Sequence, residues 1–143
     1  MTVQVEVPSD AAPEAVWELY SQPERWKEWA PHVRAPRGLG SPEVEPGASG
    51  RIRLGGLAPV WAEVTAKRPG NSWTWRVGLV ELTHTVAPRN GGGSTIGLEM
   101  RAPAPMEMAI RIGYAPITKA ILRNLARKAE ALPRAESRNS LAQ

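Results

Sequence analysis

The chain of 143 residues has no cysteine, no phenylalanine and only two histidines, His32 and His84. Without cysteine there is no disulfide, no thiolate nucleophile and no Cys-ligated zinc or iron–sulfur centre. The two histidines lack a metal-ligand spacing, so no metal and no cofactor is expected. No apolar run approaches the roughly 20 residues needed to cross a bilayer. Met1 to Val7 alternates polar and apolar residues and lacks the apolar stretch of a signal peptide. A soluble cytoplasmic protein is the reading that follows. The sequence also lacks the P-loop and dinucleotide-binding glycine motifs and the serine nucleophile elbow. Glu63, Glu81 and Glu99 alternate with apolar neighbours and should face outward, which removes a paired-carboxylate hydrolase.

What is present suits one globular domain. Apolar residues are 42% and charged residues 22% of the chain, and a chain this long buries roughly 70% of its unfolded surface. The formal charge is +4, with 18 Lys and Arg against 14 Asp and Glu. The excess is local: residues 111–143 hold seven basic and two acidic side chains, and the remainder is near neutral. Lys119, Arg123 and Arg127 step by four along one helix face, a solvated face with no stacking aromatics beside it. No nucleic acid is expected as a partner.

The strands and helices can be read from periodicity. Val3, Val5 and Val7 mark a half-buried strand. Pro13 opens a short helix with Val16, Trp17, Leu19 and Tyr20 on one side. Ser21-Gln22-Pro23-Glu24 fits a capping box for a second short helix carrying Trp26 and Trp29. Residues 36–50 are rich in Gly and Pro and read as a loop with at most a short irregular strand. Short strands follow, with Ile52 and Leu54, Val60 to Ala66, Trp73 to Val77, Leu82 to Val86 and Ile96 to Met100 on their apolar faces. Tight turns at 69–71 and 90–93, and no intervening helices, make this an antiparallel meander. From Ile110 the period becomes 3.6: Ile110, Tyr114, Ile117, Ile121, Leu125, Ala129 and Leu132 form one stripe. Pro116 should kink that helix or begin its main segment. Residues 1–132 make a single domain, and 133–143 a polar tail.

His84 shares a strand face with Leu82 and Val86 and should point inward. A core histidine bonded to the backbone is the simpler reading, and a polar anchor or proton-transfer group in an apolar pocket the functional one. His32 follows Pro31 and reads as a surface residue. Six Trp are costly to expose, and with Met100, Met106, Met108 and Tyr114 they could wall a hydrophobic cavity.

Ala12-Pro13-Glu14-Ala15-Val16-Trp17, then Pro23-Glu24-Arg25-Trp26-Lys27-Glu28-Trp29, and His84-Thr85-Val86 before a Gly-rich hairpin, resemble the SRPBCC (START/Bet v 1-like) superfamily, most closely its polyketide cyclase/dehydrase branch. The likeness covers residues 2–132. It departs at Ala12, where Ser or Thr is usual, and at Pro116. It implies an α+β helix-grip fold: a curved seven-stranded antiparallel sheet around a long C-terminal helix, with two short helices after strand 1. It also implies a deep, mostly apolar cavity for a small hydrophobic ligand, lipid- or polyketide-like. The candidate lining is Trp29, Trp73, Trp75, Leu82, His84 and Leu98, with Met100, Ile110, Tyr114, Ile117 and Ile121. The alternative is a cyclase/aromatase or dehydratase with His84 as general acid or base and Tyr114 as its hydrogen-bond partner. A docking module using a sheet edge or the basic helix face is a third reading, and a homodimer is left open.

Overall fold

The computed structural model describes residues 2–54 and 59–132, and of Ala35, Leu54, Glu107, Ala109, Ile110 and Arg111 the backbone alone. The tail expected at 133–143 lies outside the described residues. In order, the elements are β1 (Thr2–Ser9), α1 (Pro13–Ser21), a 3-10 helix (Pro23–Glu28), β2 (Val33–Arg37), β3 (Ser49–Leu54), β4 (Pro59–Arg68), β5 (Ser72–Val77), β6 (Val80–Pro88) and β7 (Ser94–Arg101). Then come α2 (Ala104–Ala109), a π-helical turn (Ile110–Tyr114) and α3 (Ala115–Ala131).

The strands form one antiparallel sheet in the order β1-β7-β6-β5-β4-β3-β2. Directly opposed residues of antiparallel strands share a face. The register therefore aligns Val3, Met100, Leu82, Trp75 and Val64 in one inward row, and Val5, Leu98, His84 and Trp73 in the next. The sheet curves around α3, the helix-grip arrangement. Ser9 at the end of β1 anchors the far end of that helix: its hydroxyl bonds Glu130 Oε2 at 2.8 Å and Ala126 O at 3.4 Å. Glu63 and Glu99 face outward as expected and pair with Arg76 and Arg101.

Several local expectations change. Ser21 does not cap the 3-10 helix; it is buried and donates back to Trp17 O at 2.7 Å, while Gln22 stands at the N-cap with no side-chain bond. The irregular strand begins at Val33, earlier than expected, with a register shift between Arg34 and Arg37. The loop after it is structured: Leu39 and Val44 are buried, and Val44 N donates to Ser21 O at 2.9 Å. His32, read as a surface residue, is half-buried, and burial lowers its pKa.

The last helix is not one uniform rod. Pro116 has no N–H for the carbonyl four residues back, and a π turn precedes it, so α3 begins afresh with this proline in its first turn. The buried face of α3 is Thr118, Leu122, Leu125, Ala126 and Ala129. That face is turned from the expected stripe by about a fifth of a turn.

Candidate functional site

The site is built around the end of α1. The last carbonyls of a helix have no partner within it, and here three indoles supply one. Trp29 Nε1 donates to Leu19 O at 2.9 Å; Trp26 Nε1 and Trp73 Nε1 both donate to Tyr20 O, at 2.9 and 3.1 Å. Tyr20 itself is fully buried, and its hydroxyl donates to Gly97 O on β7 at 2.7 Å. Burial pushes its phenol pKa well up. Trp17 Nε1 reaches Glu43 at 3.2 Å, and Lys67 Nζ meets the same carboxylate at 3.0 Å. Trp73 and Trp26 lie nearly parallel, 8° apart, with the edge of Trp75 against both.

His84 joins this cluster. Its ring stacks on Trp73 with centroids 3.7 Å apart and 6° between planes, and Tyr20 meets it edge-on at 5.1 Å. Nδ1 lies 3.1 Å from Trp73 O. A carbonyl only accepts, so Nδ1 carries the proton of the neutral ring and Nε2 keeps the lone pair. Desolvation dominates over that hydrogen bond and lowers the pKa to about 3. The imidazole is therefore neutral near pH 7 and a weak base. His84 is thus a buried ring hydrogen-bonded to the backbone.

Two polar groups on the inner walls stand apart. Trp75 Nε1 on the sheet and Thr118 Oγ1 on α3 are buried without a hydrogen-bond partner. Five of the six tryptophans are buried, and the other four of those five spend their N–H on protein acceptors. Tyr114, one turn before Thr118, is 36% exposed, yet its hydroxyl is desolvated enough that burial raises its pKa. A side-chain contact of hydrogen-bonding type with Thr118 offsets part of that rise, but its geometry is too poor to satisfy Thr118 Oγ1, which stays without a well-formed partner.

The residues expected to line one cavity divide into groups. Trp29, Trp73, Trp75, His84, Leu98 and Met100 are buried together on the inner side; Leu82 and Ile121 are half-buried. Ile117, expected on the inward stripe, is 55% exposed, because the buried face is set by Thr118 and Leu122 instead. Met106 and Met108 are exposed as well. The Ile110 side chain lies outside the described residues. Ile117, Ile121 and Asn124 share the flank of α3 away from Ser9, and Asn124 Nδ2 donates to Trp29 O at 2.8 Å. That flank thus faces the end of the 3-10 helix. Sequence reasoning missed Tyr20 and Thr118 as inner-wall groups; the Thr118, Leu122, Leu125, Ala129 spacing carried the signal for the latter.

Among the described residues no cluster of His, Asp and Glu could hold a metal ion, and no helix is long and apolar enough to cross a membrane. A search of curated proteins finds no match. Among solved structures the chain is similar to protein MLL2253 from Mesorhizobium loti, at 18% identity and a TM-score of 0.75, covering 94% of this chain and 100% of that one. It is similar to the protein named Ara h 8.0201, at 14% identity and a TM-score of 0.68, over 92% and 99% of the two chains. It is also similar to DynU16 of the dynemicin biosynthetic locus, at 22% identity and a TM-score of 0.69, over 91% of this chain and 47% of that one. At these identities the likeness is one of fold. The polyketide cyclase / dehydrase and lipid transport family matches residues 1–130. With nearly the whole chain matched and the sheet gripping α3 as that fold requires, the protein belongs to this family, within the SRPBCC superfamily.

Proposed function

We propose that the protein binds a small, mostly apolar ligand, lipid- or polyketide-like, between the inner face of the sheet and α3. The observation that carries this reading is the pair Trp75 Nε1 and Thr118 Oγ1, buried and unpartnered on the two walls. A buried donor left unmade costs about 1–3 kcal/mol, and a ligand oxygen would remove that cost. Trp75 N–H can only donate, whereas the Thr118 hydroxyl donates or accepts. A ligand with a carbonyl on an apolar body fits both. Leu82, Leu98 and Met100 would form its floor, and Tyr114, Ile117 and Ile121 would cover it. In this reading His84 braces the aromatic cluster. The cyclase or dehydratase reading gains no support from an imidazole whose pKa is about 3, since so weak a base takes up little proton near neutrality.

Two measurements test the proposal. Native mass spectrometry of the purified chain should reveal a co-purified apolar molecule. Titration with a dansylated fatty acid should show binding that Trp75→Phe and Thr118→Val each weaken by about 5–10-fold. Failure to bind the probe, or binding indifferent to both substitutions, would refute the reading.

A further inference from the structure

Antiparallel order gathers the starts of β1, β2, β4 and β6 and the ends of β3, β5 and β7 at one end of the sheet, and α2 departs from that end. The large apolar residues exposed among the described residues lie close to it. Trp61 (57% exposed) and Leu79 (71%) are on the sheet side, where they line one surface depression of about 520 Å³ with Val60, Gly78 and the Glu63–Arg76 ion pair. Met108 (57%), Ile112 (73%) and Ile117 (55%) project from the helical side, with Met106 and Tyr114 less exposed. Trp61 and Leu79, two large apolar side chains side by side in one depression, are the kind of exposed pair that marks a contact surface.

Charge identifies what covers them. On the outer face Arg37 is directly opposite Arg51, and Arg51 opposite Trp61; in the neighbouring row Arg34 is opposite Arg53. All four arginines are exposed. The ion pairs among the described residues engage Arg25, Lys67, Arg76 and Arg101 and none of these four; Arg34 Nε donates to a carbonyl, Pro31 O. Like charges directly opposed across strands are unfavourable, so the sheet carries four cations with no counter-ion among the described residues. A single-stranded nucleic acid would satisfy the arginines and stack on Trp61, but would leave Leu79, Met108 and Ile112 in water. An anionic bilayer offers acidic headgroups to the arginines and an apolar layer to the protruding side chains, with tryptophan at the boundary.

We propose that this end of the molecule is a docking surface for an anionic lipid bilayer, held by Arg34, Arg37, Arg51 and Arg53 and seated by Trp61 and Leu79. The inference stands apart from the ligand reading: vesicle binding is scored without fatty acid, and fatty-acid binding without vesicles, so failure of one is distinct from failure of the other.

The full chain should sediment with vesicles of phosphatidylcholine and phosphatidylglycerol and not with phosphatidylcholine alone. Its tryptophan emission should shift to the blue on binding, and Trp61→Phe should remove most of that shift, because Trp61 is the exposed tryptophan. Arg34→Glu with Arg53→Glu should weaken the partition more than about tenfold, as should added salt. Trp61→Ser with Leu79→Ser should weaken it at low salt too. The milder pair Arg34→Gln and Arg53→Gln, checked for an unchanged melting temperature, guards against misfolding. No partition onto anionic vesicles would overturn the proposal. So would vesicle binding unaffected by both pairs, or arginine-dependent binding of a single-stranded oligonucleotide with vesicles ignored.

Discussion

Protonation of His84 should be one of the larger acid-sensitive contributions to the stability of this fold. In the unfolded chain the imidazole titrates near 6.5; in the fold, burial among Trp73, Tyr20 and Trp75 lowers it to about 3. The folded state therefore binds its proton less well than the unfolded state. The stability this group allows is full above about pH 6.5 and is lost as the pH falls toward 3. Between those two values each step of one in pH removes about 1.4 kcal/mol, so the loss at pH 4 is about 3 kcal/mol. A typical total is about 5–15 kcal/mol. His84→Gln keeps an N–H to offer Trp73 O and cannot titrate. Urea unfolding at pH 7 and pH 4, followed by tryptophan fluorescence, should show the native protein losing about 3 kcal/mol more than the variant over that interval. Equal losses in the two proteins, or an NMR titration of His84 centred near 6.5, would refute the placement of this ring in a desolvated stack.

Further outcomes follow from the same cluster and sheet. Tyr20→Phe removes the bond to Gly97 O that ties α1 to β7; unfolding experiments should show a loss of about 1–2 kcal/mol, which for a chain of this size lowers Tm by about 2–8 °C. Trp29→Phe strands Leu19 O, whereas Trp75→Phe breaks no protein hydrogen bond. In matched denaturation curves Trp29→Phe should therefore cost about 1 kcal/mol more; equal costs would contradict the indole capping of α1. Gly50→Ala would set a methyl group against the Arg37 carbonyl of the neighbouring strand. Hydrogen exchange should then report lost protection across β2 and β3, with a destabilisation of at least about 1–3 kcal/mol.

Much of the architecture was legible because period and turn chemistry act locally. Val3, Val5 and Val7, the Trp73–Trp75 pair and the Leu82, His84, Val86 face alternate with a period of two, and each alternation faces inward in the sheet. The motifs of the two short helices and the Gly-rich hairpin marked the superfamily, since those residues are tied to the places where the chain turns. α3 was less legible. Its aliphatics Ile117 and Ile121 suggested one stripe, yet tertiary packing against β1 selected the face of Thr118, Leu122, Ala126 and Ala129, whose small Thr and Ala side chains let helix and sheet approach closely. The basic excess in the sequence pointed to α3 and the tail, while four further arginines without an ion pair face one another on β2 and β3. A linear charge count cannot see that two pairs of arginines become cross-strand neighbours.

The sequence by itself determined the class of fold, the inward direction of Trp73, Trp75 and His84, and the exclusion of cysteine chemistry and membrane-spanning helices, because these depend on residue type and short-range periodicity. Only the tertiary structure decided what each inward group does. Indole N–H groups from two separate stretches converge on two carbonyls at the end of α1, and His84 loses its proton to desolvation that no neighbour in sequence supplies. Trp75 and Thr118 are left over once every nearby acceptor is counted. Hydrogen-bond satisfaction and burial are sums over the whole packed chain, and such sums exist only once it has folded.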